Sequence, residues 1–354
     1  MSKIKIQNKN IGDNQPIFFI AEAGVNHNGS TELGFQLIDI AVDAGADAVK
    51  FQTFKAENLN TVNAPKSQYH IDTTGGDKDQ SWYDLLKSQE ISLEMHKELI
   101  DYCKQKEIIF LSTPYDEESA DLLESLDIPA YKIASTDTNN LPFLKYVAKK
   151  NRPMIISSAM CNYEEVEEAV DTIRAEGLNE IIVCQCTGNY PSRLDDSNLR
   201  VIKKYKKELD CLVGFSDHTL EFINPVLSTG MGICLYEKHF TIDKNLDGPD
   251  HRMSLNPEEL EKTISLMRQA ELALGNENKV VLDDEIENRD KLRKSVVAAR
   301  NIKKDEIISI DMLAIKRPGT GILPKEIDNL IGARAKSDIH EDSLISYDFI
   351  DLEP

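Results

Sequence analysis

Two histidines in one repeated setting organise the chain. Leu212-Val213-Gly214-Phe215-Ser216-Asp217-His218 runs from an apolar core into a polar tip, and Gly232–His239 repeats the pattern about twenty residues later. Leu220–Gly230 lies between them with the length and composition of one short helix. The unit reads as strand, helix, strand, with a histidine at the C-terminal end of each strand. In parallel α/β architectures those ends converge on the ligand-binding face. Two neutral imidazoles there suit a divalent transition metal and leave coordination positions for substrate or water.

The elements that must position this pair follow a regular alternation. Apolar runs at Pro16–Ala21, Ala46–Val49, Ile108–Leu111, Ala130–Ile133, Pro153–Ile156 and Glu180–Cys186 precede the two histidine strands. Continuous apolar runs are expected of strands buried on both faces. Amphipathic segments intervene at Thr31–Ala44, Leu93–Lys106, Glu117–Leu126, Leu141–Lys149, Tyr163–Ala175 and Asp196–Lys207, and Leu255–Leu274 closes the series behind an Asn256-Pro257 cap. No dinucleotide-type glycine fingerprint follows the first strand, so the expected fold is a closed (β/α)8 barrel over residues 1–275. The polar stretch from Lys55 to Gln80 reads as a long loop on the active face. Residues 276–292 are highly charged and read as a connector, and 293–354 as a small, mostly-β domain with a cationic turn at Lys316-Arg317-Pro318-Gly319.

A formal charge of −20 over 354 residues argues against nucleic acid and anionic membranes as partners. A mean hydropathy of −0.38 fits a soluble protein, and no run of about 18 apolar residues is present to span a bilayer. The six cysteines are scattered, which is the pattern of reduced thiols in the cytoplasm. Cys184 and Cys186 have the wrong spacing for a redox or zinc motif and read as core.

On the barrel reading, the C-terminal face gathers Glu22, Lys50, Gln52, Thr113, Lys132, Ser135, Asp137, Ser157, Ser216, His218 and His239. Two lysines at strand ends of so acidic a chain need anionic partners. These are either Glu22 or Asp137 within the protein, or a small phosphate- or carboxylate-bearing ligand. A lysine there could instead form a Schiff base, as in a class I aldolase. A third reading makes the tail a carbohydrate- or ice-binding module on an inert barrel.

Ala21-Glu22-Ala23-Gly24-Val25-Asn26-His27-Asn28-Gly29, Ala48–Thr53 and Leu111-Ser112-Thr113-Pro114 resemble the sialic acid synthases. So do Tyr131-Lys132-Ile133-Ala134-Ser135, Gly214–Thr219, Glu237–Thr241 and Gly248-Pro249-Asp250-His251. Lys316–Gly321 resembles that family's antifreeze-like (SAF) domain. The resemblance runs in register from about Pro16 to Ile350. It implies condensation of phosphoenolpyruvate with an N-acylated hexosamine, N-acetylmannosamine first, to a nine-carbon 2-keto-3-deoxy acid and phosphate. Legionaminate or pseudaminate synthesis is the alternative.

Carried over by motif, His218 and His239 would hold Mn2+, with Mg2+ or Co2+ as alternatives, acting as a Lewis acid on the open-chain aldehyde. Lys50, Gln52, Thr113, Lys132, Ser135, Ser157 and Ser216 would surround phosphoenolpyruvate. Asp137, Tyr190, Asp250 and Arg317 would contact the sugar, Arg317 from the partner in a domain-swapped homodimer. Glu22 and Asp250 are the implied proton-transfer groups. Asn26 and His27 are expected to shape their loop or to act directly, His251 to support the site from behind, and His70, His96 and His340 to face solvent. Asp137 stands where bacterial relatives commonly carry glutamate and Gly188 where some carry asparagine. Ala134 and Ala159 replace common glycines. These departures lie where sugar specificity would be set.

Overall fold

The computed structural model describes residues 3–352, apart from 65, 67–70, 72 and 75–80. The chain divides into two compact units, Met1–Gly275 and Asn276–Pro354. The first opens with an antiparallel hairpin of β1 (Ile4–Ile6) and β2 (Lys9–Ile11). Eight parallel strands follow: β3 (Phe18–Gly24), β4 (Ala48–Thr53), β5 (Ile109–Pro114), β6 (Tyr131–Ile133), β7 (Met154–Ser157), β8 (Ile181–Cys186), β9 (Leu212–Asp217) and β10 (Leu235–His239). They pair in sequence order, and β10 closes on β3 to complete a barrel.

The outer layer comprises α1 (Thr31–Asp43), α4 (Leu93–Gln105), α5 (Glu117–Ser125), α6 (Leu141–Ala148), α7 (Tyr163–Ala175), α8 (Val201–Glu208), α9 (Asn224–Gly230) and α10 (Pro257–Leu274). Two short helices, α2 (Ala56–Leu59) and α3 (Trp82–Ser88), belong to the long segment between β4 and α4. Helix starts are set locally. Ser30, Ser92, Asp116, Asn162 and Asn256 each accept a backbone N–H from the first turn, and Asn162 and Asn256 complete capping boxes with Glu165 and Glu259.

Strand alternation sorts side chains into two cores. Outward residues such as Phe19, Phe51, Phe110, Ile156, Val183 and Tyr236 pack under the helices. Inward residues Phe18, Ile20, Ile109, Leu111, Ile155, Ile182 and Leu235 fill the lower barrel, where Ile4, Ile6 and Ile11 of the hairpin join them. The hairpin therefore plugs the N-terminal end of the barrel. Sequence patterning starts the fold at Pro16 and misses this plug, because strands of three residues are too short to show a period.

The expected strands and helices occur with shifted ends. Strands β3 to β5 continue three or four residues further than their apolar runs, since polar inward residues still pair in the ladder. α8 begins at Val201 instead of Asp196, after a 3-10 turn at Leu194–Asp196, and α9 begins at Asn224 instead of Leu220, with Pro225 in its first turn.

In the second unit, β11 (Ser295–Ala298) pairs with β12 (Leu313–Lys316), and β13 (Arg334–Ala335) with β14 (Ile350–Asp351), both antiparallel. Val296, Ile302, Ile308, Leu330, Ile339 and Ile345 form its core. The charged stretch read as a connector contains a helix, α11 (Asp283–Leu292). Asp283, Asp284 and Glu285 crowd its first turn and Arg289 and Lys291 its last, the arrangement that complements a helix dipole. Gly319 N donates to the Asp290 carbonyl at 2.7 Å, tying this helix to the cationic turn.

Candidate active site

The alternation that packs the barrel also builds the site. Above the apolar layers, the next inward positions are Glu22, Lys50, Gln52, Thr113, Lys132, Ser157, Ser216, Glu237 and His239, and His218 follows β9. On β9 and β10 two outward neighbours, Asp217 and Lys238, are charged for a different reason. Asp217 Oδ2 sits 2.8 Å from Lys238 Nζ and accepts from the Tyr236 hydroxyl at 2.6 Å, while Oδ1 accepts from Thr219 and Asn224. This buried outward network holds β9 and β10 in the register that sets His218 beside His239.

The inward lysines are compensated by two carboxylates. Lys50 Nζ lies 2.7 Å from Glu22 Oε2, 3.8 Å from Glu237 Oε2 and 3.0 Å from Thr113 Oγ1. Lys132 Nζ lies 3.6 Å from Glu237 Oε1, which also accepts from the Ser216 hydroxyl at 3.0 Å. Burial alone would raise the Glu237 pKa, but Lys132 and Lys50 outweigh it and hold the group below its ordinary value. Burial dominates at Glu22 despite Lys50, pushing its carboxyl up to about 7. Burial also works against the Lys132 ammonium, yet Glu237 keeps it charged above the ordinary lysine value. The result is a buried ladder of alternating charge with hydroxyls at its edge. Such a ladder can exchange a carboxylate partner for a phosphate or carboxylate ligand.

The imidazoles stand at the upper end. The His218 and His239 rings are 5.5 Å apart, and the Tyr190 ring rests 4.2 Å from that of His218. His218 Nδ1 donates to the Thr187 carbonyl at 2.7 Å, a contact that puts the lone pair of the neutral ring on Nε2. Burial drives the His239 pKa far below its ordinary value, so this ring is neutral. Its Nδ1 is buried without a hydrogen-bond partner, with Asp250 Oδ2 3.9 Å away. Two imidazole nitrogens, one orphaned and one fixed by its tautomer, match the donor chemistry of a divalent transition ion. Among the described residues, no three His, Cys, Asp or Glu side chains already form a cage, so substrate and water would complete the coordination.

Asp250, Gln52 and Glu22 meet around Gly24. A Cβ there would lie 3.3 Å from Asp250 Oδ2 and 3.5 Å from both Gln52 Nε2 and Glu22 Oε1, and its φ of +56° is one that glycine adopts freely. Gln52 Nε2 donates to Glu22 Oε1 at 3.3 Å. Burial raises the Asp250 carboxyl to about 6. Above this group opens a cavity of about 480 Å³ that reaches Tyr190, Tyr115 and α3.

The other residues singled out in the sequence are placed as follows. Ser157 is buried on the inward face, and the Ser135 hydroxyl accepts from Ala159 N at 3.0 Å. Asp137 bonds to Thr136 and Asn140, not to a lysine, so Lys50 pairs with Glu22 alone of the two expected internal partners. Arg317 is exposed in the second unit and donates to the Leu292 carbonyl at 3.1 Å. At Gly188 a Cβ would meet Met160 Cγ at 3.0 Å, so a larger residue there would have to displace the exposed Met160 side chain. Cys184 and Cys186 are buried, and Cys186 Sγ lies 3.7 Å from His218 Nδ1.

Asn26 ties its loop to the Phe240 carbonyl and Ser254, and His27 Nδ1 accepts from Gly29 N. His251 is buried and His340 exposed, while His70 lies outside the described residues. His96 is a correction. It is fully buried, with Nε2 2.9 Å from Thr53 Oγ1 and Nδ1 2.8 Å from the Ser92 carbonyl, because its helix position faces the core. Sequence reasoning assigned no role to Glu237 or Tyr115. The period-2 pattern through Leu235, Glu237 and His239 was the available signal for Glu237.

Two histidines above two buried lysines, on the C-terminal face of a closed barrel, stand where enzymes of this fold place their active sites. The comparisons identify the class of enzyme. The chain matches the NeuB family over residues 37–279 and the SAF domain over residues 293–351. It is 42% identical over 328 residues to N,N'-diacetyllegionaminic acid synthase of Campylobacter jejuni, covering 92% of this chain and 98% of that one. It is 40% identical over 344 residues to the enzyme of the same name from Legionella pneumophila, covering 96% of each. The crystal structure of spore coat polysaccharide biosynthesis protein spsE from Bacillus subtilis superposes with a TM-score of 0.67 at 40% identity, covering 100% of both chains. The chain belongs to the NeuB family of sialic and related nonulosonic acid synthases and carries a SAF domain.

Proposed function

We propose that the protein condenses phosphoenolpyruvate with an N-acylated hexosamine, releasing phosphate and forming a nine-carbon 2-keto-3-deoxy acid. The observation that carries this reading is the pair of buried lysines, Lys50 and Lys132, facing Glu22, Glu237 and Ser216 directly below the two histidines. The phosphate and carboxylate of phosphoenolpyruvate fit this ladder, with Thr113, Ser135, Ser157 and Ser216 as hydroxyl donors and Gln52 as an amide donor. His218 and His239 would hold a divalent ion, Mn2+ foremost, and a bound ion of that kind supplies Lewis-acid polarisation of a carbonyl.

The protein's own groups account for the proton movements. Bond formation between C3 of phosphoenolpyruvate and the aldehyde carbon delivers an alkoxide that needs a proton. Water added at C2 must lose one before phosphate leaves by C–O cleavage. Glu22, at about 7, and Asp250, at about 6, titrate near neutrality and lie together around Gly24, so one can give a proton while the other accepts. Asp137 and Tyr190 are the proposed sugar contacts on the barrel. Arg317 of the partner subunit is proposed to reach the N-acyl group in a domain-swapped homodimer. Mixing Arg317→Ala with His218→Ala subunits would then restore part of the activity. A Schiff-base reaction is disfavoured by Glu237, which keeps Lys132 protonated where an amine nucleophile must be neutral. The six cysteines are free, which fits action in the cytoplasm, and no described helix is long and apolar enough to cross a membrane.

The first experiment is phosphate release from phosphoenolpyruvate with Mn2+, with and without EDTA. N-acetylmannosamine and 2,4-diacetamido-2,4,6-trideoxymannose are the parallel co-substrates, the second leading to legionaminate. Metal-dependent release with either supports the reading. No release with either from folded, metal-loaded protein sinks it. The relatives named for N,N'-diacetyllegionaminic acid put the second sugar forward, and N-acetylmannosamine is its direct competitor.

A further inference from the structure

The cavity above the site has two unlike parts. Gln52, His239, Asp250 and Tyr190 supply polar groups, whereas Trp82, Leu85 and Leu86 of α3, with Leu59, supply an apolar surface edged by Asn60 and Gln89. Trp82, Leu85 and Leu86 fall at i, i+3 and i+4, one face of the helix. Asp84, Lys87 and Ser88 are exposed. α3 therefore turns its apolar side to the cavity and its charged side to solvent.

Its position is fixed by contacts independent of any ligand. The Ser81 hydroxyl caps its start, accepting from Asp84 N at 3.0 Å. Lys87 bridges Glu57 of α2 at 2.9 Å and Glu90 at 3.0 Å, and Glu90 accepts from Ala56 N at 2.8 Å. At its far end the Ser88 carbonyl lies 2.6 Å from where a Cβ of Gly29 would stand, and Gly29 has a φ of +74°. Only glycine lets the loop after β3 come so close to the end of α3.

A cavity with one polar and one apolar part selects a ligand of matching asymmetry. A hydroxyl placed against Leu85, Leu86 and the face of the Trp82 ring would lose its water without gaining a partner from them, whereas a methyl group would be favoured there. Resting on the proposed reaction, we propose that the α3 wall, centred on Trp82, reads the end of the sugar remote from its aldehyde. It selects a 6-deoxy hexose, whose C6 is a methyl, over one with a free 6-hydroxyl.

Trp82 is the only tryptophan in the chain, so its fluorescence reports on this wall alone. The full-length, Mn2+-loaded protein is titrated with each of the two sugars, reading tryptophan emission and phosphate release in parallel. The expected result is a saturable emission change with 2,4-diacetamido-2,4,6-trideoxymannose, and kcat/KM for this sugar about 10- to 100-fold above that for N-acetylmannosamine. Trp82→Ala should cut that preference about tenfold while leaving the KM for phosphoenolpyruvate unchanged, and Trp82→Phe should retain it. Release with flat emission, or equal losses for both sugars in Trp82→Ala, overturns the wall and leaves the reaction standing. An emission change without release overturns the reaction and keeps the wall as a sugar-binding surface. Neither signal with either sugar overturns both.

Discussion

His251 Nε2 donates to Asn28 Oδ1 at 3.3 Å, linking the loop after β10 to the loop after β3. The tautomer follows from the partner. Asn28 Nδ2 is committed to the Asp247 carbonyl at 3.0 Å, so its Oδ1 must be the atom facing the imidazole, and Oδ1 can only accept. His251 Nδ1 then accepts from the Thr241 hydroxyl at 2.6 Å. A Cβ at Gly248 would sit 2.5 Å from His251 Cδ2, so the ring packs flush on the turn that presents Asp250.

If this clamp aims Asp250, loosening it should cost turnover more than binding. Asn28→Ala is expected to lower kcat about 10- to 100-fold with the KM for phosphoenolpyruvate within about threefold of normal. Steady-state kinetics with both substrates varied make the test, and a change confined to the phosphoenolpyruvate KM would refute it.

The Lys50–Glu22 pair gives a second expectation. Lys50→Met removes one proposed phosphoenolpyruvate contact and leaves Glu22 buried without its closest cation, so Glu22 should take up a proton. Phosphoenolpyruvate affinity, read by isothermal calorimetry with metal present, is expected to fall about 100-fold or more. Affinity within about threefold of normal would place the anion elsewhere.

Metal binding can be tested without turnover. Calorimetric titration with Mn2+ should show one site per chain in the wild type and none in His239→Ala or His218→Ala. Binding should also raise the melting temperature of the wild type alone, since a ligand that binds only the native state stabilises it. A similar thermal shift in all three proteins would remove the histidines from the site.

Acid should destabilise the barrel through histidines other than His218 and His239. Burial lowers His27 and His251 to about 4, and lowers His96 as well. For groups whose native pKa lies below the unfolded value near 6.5, the stabilising contribution is complete above that value. It is lost as pH falls toward 4, because the unfolded chain binds the protons first. His27 alone accounts for roughly 3 kcal/mol at full protonation. Urea denaturation at pH 7, 5.5 and 4.5 should show a falling midpoint, with a smaller decrease in His27→Asn.

Most of the barrel, and the strand-end positions of most candidate site residues, were legible in the sequence for one physical reason. In a closed parallel barrel the apolar strand core and the polar strand end are read from the same short run, so Lys50, Lys132, His218 and His239 announce their position as they announce their chemistry. Glu237 was overlooked because its alternation with Lys238 places two opposite charges side by side in sequence, and only the pleat separates the inward carboxylate from the outward ammonium. His96 misled for the opposite reason. Its helix is polar on average, and only the packing of Thr53 and Ser112 beneath it shows that this one polar side chain points inward. The hairpin, α3 and α11 are too short, or too charged, for periodicity to reveal them.

The plug formed by Ile4, Ile6 and Ile11 has a kinetic consequence. The hairpin caps a lower barrel that inward side chains already fill, so the described residues leave reactants and products the C-terminal face to pass through. On the proposed assignment phosphoenolpyruvate lies deeper, against Lys50 and Lys132, and the sugar stands in the doorway beside Tyr190. The deeper reactant must arrive first, and the bulky sugar acid must clear the passage before phosphate can follow. On that assignment, the order of events follows from a packed lower barrel that leaves the two reactants stacked one above the other at the same face.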